Sequence, residues 1–168
     1  MKTLEDEPVS ITTRPDSIAE IDRYRQRLSQ LYDIVEAAIR QVEPGAKFAR
    51  TRLLQIDEEL TGPYTVSGLE VSIPEKTGIR FVPEGIYLIG ARGRVDARSR
   101  LGAEVLAWVE EGGPGAEMTA GIGDIDPMAR PVFPGVPEGW AWADNQRVEL
   151  VPLTERTFID RVLPRLVG

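Results

Sequence analysis

The stretch PDSIAEIDRYRQRLSQLYDIVEAAIRQVEPG, residues 15–45, decides the fold class. Ile21, Leu28, Val35 and Val42 fall seven apart, and Tyr24, Leu31 and Ala38 fall between them. On an α-helix this 3-4 spacing draws one apolar stripe. Ile34 and Ile39 widen the stripe toward its C-terminal end. Pro15-Asp16-Ser17 opens the segment, Pro44-Gly45 closes it, and Ser17 with Glu20 fits a capping box. A heptad seam also suits a coiled-coil dimer. Here the run is short, Ala38 occupies a seam position and the face widens. The spacing therefore predicts one long helix laid on a sheet.

From residue 47 onward the period changes from helical to two. Phe48–Ile56 is a mixed run that fits a strand. Tyr64 and Val66 alternate, then Leu69, Val71 and Ile73 alternate on the other parity, with Ser67-Gly68 at the switch as in a bulge or tight turn. Ile79 and Phe81 follow, and Val82-Pro83-Glu84-Gly85 reads as a turn. Residues 86–97 form the longest strand candidate, Ser99–Gly102 a hairpin turn, and residues 103–109 the return strand. That strand is apolar on both parities, so cover on both faces is expected. Trp140–Ala143 and Gln146–Val151 form a second hairpin around Asp144-Asn145. Thr154 caps a short final helix whose Phe158, Ile159, Val162 and Leu163 share a face, and Pro164 should end or kink it.

The β elements adjoin one another and do not alternate with helices. This order predicts an α+β domain: a mainly antiparallel sheet, a long N-terminal amphipathic helix packed on one face, and a short C-terminal helix. Residues 1–14 read as a flexible acidic lead-in and residues 15–168 as a single domain. Residues 112–139 form a long loop in which twelve of 28 residues are Gly or Pro.

Composition narrows the chemistry. The chain has 168 residues and no cysteine or histidine, so disulfides, thiolates and imidazole bases are excluded. No zinc site of the usual Cys/His kind is available. No apolar run reaches the length of a membrane span. The formal net charge of -7 disfavours nucleic acid as a partner. A cytoplasmic protein is expected.

One motif stands out against the acidic balance. In IGARGRVDARSRLG, residues 89–102, every even position from 92 to 100 is charged: Arg92, Arg94, Asp96, Arg98 and Arg100. Side chains two apart on a strand share a face. The bland interpretation is a solvated strand face whose charges block edge aggregation. The functional alternative is a cationic stripe of Arg92, Arg94, Arg98 and Arg100 for a phosphate or carboxylate. A third possibility is pairing with the acidic block Glu104, Glu110, Glu111, Glu117, Asp124 and Asp126.

GIGDIDP, residues 121–127, is neither a dinucleotide fingerprint nor an EF-hand loop. No catalytic residue, metal site or cofactor is assigned. Trp140 and Trp142 share a strand parity; such pairs are mostly core, but they also suit a recognition surface beside the long loop. The expectation is thus a non-enzymatic protein-binding module, monomeric or homodimeric, with a protein partner, a basic one fitting the acidic balance. Its contacts would be Glu117, Asp124, Asp126, Trp140 and Trp142. An anion or small-ligand binder using the arginine stripe is the alternative, and a carboxylate- and metal-dependent hydrolase comes behind it.

Overall fold

Helix α1, Ile18–Val42, forms where the stripe predicts it. The computed structural model describes residues 13–87, 91–111 and 136–168. Most of the 1–14 lead-in and of the 112–139 loop therefore lies outside the described residues. At the end of the lead-in, the Arg14 amide donates to the Thr61 carbonyl at 2.8 Å and the Thr13 hydroxyl to the Pro63 carbonyl. A 3₁₀ turn, Pro15–Ser17, leads into α1. The expected capping box does not form. Ser17 has helical rather than extended backbone angles, and its hydroxyl donates to the Leu60 carbonyl at 3.0 Å. Glu20 pairs instead with Arg23.

Among the described residues seven strands form one sheet whose spatial order is the chain order, every neighbouring pair antiparallel. They are β1 (Lys47–Glu58), β2 (Gly62–Ser72), β3 (Ile79–Gly85), β4 (Arg94–Ser99), β5 (Gly102–Val109), β6 (Gly139–Asp144) and β7 (Glu149–Pro152). Antiparallel neighbours need no crossover, so the chain can meander from strand to strand even where, between β5 and β6, the connection is long. The chain ends in a helix of three pieces: α2 (Glu155–Thr157), a π-helical turn (Phe158–Val162) and α3 (Leu163–Val167). The Thr154 hydroxyl accepts from the Thr157 amide and caps it. Pro164 does not end this helix. It falls in the first turn of α3, directly after the π turn, where its missing N–H costs little.

The stripe of α1 is spent on the sheet, not on a coiled-coil partner. Ile21, Tyr24, Leu28, Leu31, Val35, Ala38 and Ile39 are buried in one core with Leu69, Val71, Phe81, Val95, Leu106, Trp142 and the C-terminal helix. Val42, the last seam residue, is 45% exposed. Polar tips register the helix on the strands. The Tyr24 hydroxyl donates to the Arg94 carbonyl (2.8 Å) and the Tyr32 hydroxyl to the Ser67 carbonyl (2.7 Å). The Trp140 indole N–H donates to the Arg27 carbonyl (2.7 Å). These three donors find partners, since an orphaned buried donor is costly; the Trp108 indole N–H of β5 has none among the described residues.

The parity switch at Ser67-Gly68 is a bulge. Thr51 and Arg52 of β1 lie between two paired positions where β2 has only Gly68. A Cβ on Gly68 would sit 2.7 Å from the Phe81 carbonyl oxygen, so this approach requires glycine. Two boundaries differ from expectation. Residues 82–85 are not a turn but the end of β3, where the pairing shifts between Pro83 and Gly85; a bulge tolerates both residue types. The strand expected over 86–97 is shorter and later, Arg94–Ser99. Its start is delayed because the Ile86 and Tyr87 amides donate to the Glu58 carboxylate and because Gly93 takes φ +151°.

Candidate functional site

The arginine stripe is realised in part. Arg94, Asp96 and Arg98 alternate along β4 on the face away from α1. Asp96 is buried there. Arg94 grips it with Nε (2.7 Å) and Nη2 (3.2 Å), and Arg98 Nη2 reaches it at 3.4 Å. Arg98 Nη2 also meets Glu84 of β3 at 2.7 Å. The hydrogen bond to Asp96 holds the Arg94 guanidinium above its ordinary pKa. Arg92 precedes the strand; it pairs with Glu110 at 3.4 Å and lies over the Tyr87 ring. Arg100 is exposed in the β4–β5 turn. Two guanidiniums of the stripe are thus already committed to Asp96 and Glu84, and only one acid of the 101–129 block, Glu110, pairs with it among the described residues.

The tryptophans are core residues. Trp140 is 5% exposed and Trp142 is fully buried, so their rings present no recognition surface. Trp140 packs edge-to-face on Trp108 with centroids 6.0 Å apart. The Trp142 indole donates to Glu104 at 2.8 Å, and Arg161 and Arg165 lie against its ring. Glu117, Asp124 and Asp126 lie outside the described residues. Among the described residues no group of three or more acids is placed to hold a metal ion, and no helix is long and apolar enough to cross a membrane.

Two features lie at the β1–β2 end of the sheet; the first falls in the acidic run Asp57-Glu58-Glu59, which by sequence reads as a solvated turn. The first is Glu58. Its carboxylate accepts from the Ile86 amide (3.1 Å), the Tyr87 amide (2.8 Å) and the Tyr64 hydroxyl. Burial, then the Glu58 contact, pushes the Tyr64 phenol well above its ordinary pKa. Every contact of this carboxylate faces inward to the protein, so Glu58 acts as a tie between β1 and the end of β3.

The second is a two-lobed groove between α1 and the β1–β2 hairpin. One lobe, about 510 Å³, is lined by Ile18, Ile21, Gln55, Pro63 and Tyr64 among others. The other, about 460 Å³, is lined by Leu28, Ser29, Tyr32, Leu53 and Val66 among others. Arg25 and Thr65 border both lobes, and Arg25 donates from Nε (3.1 Å) and Nη2 (2.9 Å) to the Thr65 carbonyl. Arg50 roofs the second lobe, over the Tyr32 ring and 3.5 Å from Glu36. Leu53 is 67% and Ile18 53% exposed. Covering one such side chain is worth about 1.5–3 kcal/mol, so a partner that seats on both gains more than most rim contacts supply. A sequence signal was present: Ile18 lies off the α1 stripe, and Leu53-Leu54 puts an apolar side chain on each parity of β1.

No family model matches the chain, and neither a curated protein nor a solved structure shows significant similarity to it.

Proposed function

We propose that this chain is a non-enzymatic protein-binding module acting in the cytoplasm, and that it seats an apolar segment of its partner in the groove between α1 and the β1–β2 hairpin. The groove carries this reading: two adjoining lobes with exposed apolar side chains and polar borders, the arrangement of a binding cleft. Its cations are engaged, Arg25 by Thr65 and Arg50 by Glu36, so the occupant is apolar, not a free anion. The excess of seven negative charges favours a basic partner at long range and speeds encounter. The anion-binding alternative has less support, because Asp96 and Glu84 already neutralise Arg94 and Arg98.

The test is affinity capture from the source cell by the wild-type chain and by Ile18→Glu/Ser29→Glu, which places one charge at each lobe from the exposed side of α1. A stoichiometric protein held by the wild type and lost by the folded double variant is the expected result. Equal capture by both contradicts the assignment of the groove.

A further inference from the structure

Strand β1 closes one end of the sheet, so one of its long edges has no strand partner among the described residues. It is twelve residues long, whereas β7 at the opposite end has four and finishes at Pro152. The charges on β1 and the turn after it are segregated. Lys47 and Arg52 stand in its first half, and Asp57 and Glu59 follow in the second. All four are exposed, and none has an ion-pair partner among the described residues. Arg50, by contrast, is held by Glu36.

We propose that β1 is a homodimer edge: two copies of this chain pair their β1 strands antiparallel about a twofold axis, extending the meander across the interface. The charge order selects the direction. Parallel pairing would set Lys47 and Arg52 against their own copies and Asp57 against Asp57. Antiparallel pairing reverses one strand and lays each basic half along the acidic half of the other copy. With the twofold axis at Gln55, Leu53 meets Asp57 of the second copy, and Arg52 falls opposite Glu58, between Asp57 and Glu59 along that strand. A twofold edge contact is self-complementary, so it closes at two chains and does not propagate. Lysine and arginine on an edge ordinarily discourage strand addition; here they discourage every orientation but one. The Thr51–Arg52 bulge interrupts the edge, and the regular part that follows, Leu53–Glu58, supplies the backbone groups for pairing.

This inference goes beyond the groove and does not depend on it: the groove is tested from α1, the edge from charges that do not line the groove.

The experiment is sedimentation velocity on the full chain, from micromolar to submillimolar concentration, for the wild type, Lys47→Glu/Arg52→Glu, Asp57→Lys/Glu59→Lys and an equimolar mixture of the two variants. Circular dichroism checks the fold of each. The wild type is expected to dimerise. Each variant alone should be weaker by about tenfold or more, since the twofold repeats every like-charge contact. The mixture should recover the dimer, because one variant has an all-acidic edge and the other an all-basic one. A wild type monomeric throughout, variants that dimerise undiminished, or a mixture that fails to pair would each overturn the proposal. If a charge reversal fails to fold, Lys47→Gln/Arg52→Gln replaces it, and an unchanged dimer then overturns the proposal equally.

Discussion

Arg165 holds Asp144 with both guanidinium nitrogens, at 2.9 and 3.2 Å, and so joins the last turn of the C-terminal helix to the end of β6. Asp144 is buried at the β6–β7 hairpin, and Arg161 reaches it at 3.3 Å. The hydrogen bond from Arg165 holds this carboxyl below its ordinary pKa, and Asp144 in turn raises the Arg165 guanidinium. The unfolded chain therefore takes up the Asp144 proton more readily than the folded one. The pair's contribution is complete above roughly pH 5 and is lost as the pH falls below about 3.9, toward the lower folded value. Asp144→Asn is expected to lower Tm at neutral pH and to converge with the wild type in acid. Parallel Tm curves for the two proteins from neutral to acid pH would contradict this role.

Glu58 provides a second tie, at the opposite end of the sheet. Glu58→Gln turns an amide toward the Ile86 and Tyr87 N–H donors and is expected to cost about 1–3 kcal/mol. Tyr64→Phe removes only one donor and should cost about 0.5–1.5 kcal/mol. The two effects should be strongly non-additive in a double-mutant cycle by urea unfolding, because the groups are in contact. Additive losses would show that the Tyr64–Glu58 contact contributes nothing.

Three tyrosines resist ionisation. Burial raises the phenols of Tyr24, Tyr32 and Tyr64, and at Tyr64 the Glu58 contact adds to the shift. A raised folded pKa gives stability that is complete below the unfolded value, about 10, and lost as the pH climbs above it. Tyrosinate absorbance from these three is thus expected to rise only with the loss of far-ultraviolet circular dichroism in alkali. Titration of all the tyrosines near pH 10 with the fold intact would contradict their burial.

Gly93 sets the start of β4. It adopts φ +151°, and a Cβ there would lie 3.0 Å from the Tyr24 ring. Gly93→Ala is expected to destabilise by about 1–3 kcal/mol through backbone strain and crowding together. Gly102→Ala at φ +158°, with nothing within 4 Å of its Cβ, should cost less. Equal losses in thermal melts would remove the close approach to Tyr24 from the account.

The elements with a single dominant period were legible in the sequence. The 3-4 stripe of α1 marked seven residues, and six of them, from Ile21 to Ala38, are buried on the sheet. The Ser99–Gly102 hairpin and the 139–152 hairpin followed from alternation and turn residues. The β3–β4 boundary was not legible, because it rests on a bulge at Pro83–Gly85 and on the Glu58 carboxylate, which is distant in sequence. The arginine alternation gave the shared face but not its neutralisation, since Glu84 comes from a different strand. The shared strand parity of Trp140 and Trp142 fits core and surface alike, and burial makes them core. The groove depends on how α1 lies across β2, which no local pattern encodes.

The central claim is that the partner seats between α1 and the β1–β2 hairpin. Hydrogen exchange on the wild-type chain, free and bound to the captured protein, tests it most directly. The account predicts new protection concentrated in residues 18–32 and 50–67. Protection centred instead on residues 92–100, with the groove unchanged, would contradict it and return the function to the arginine stripe.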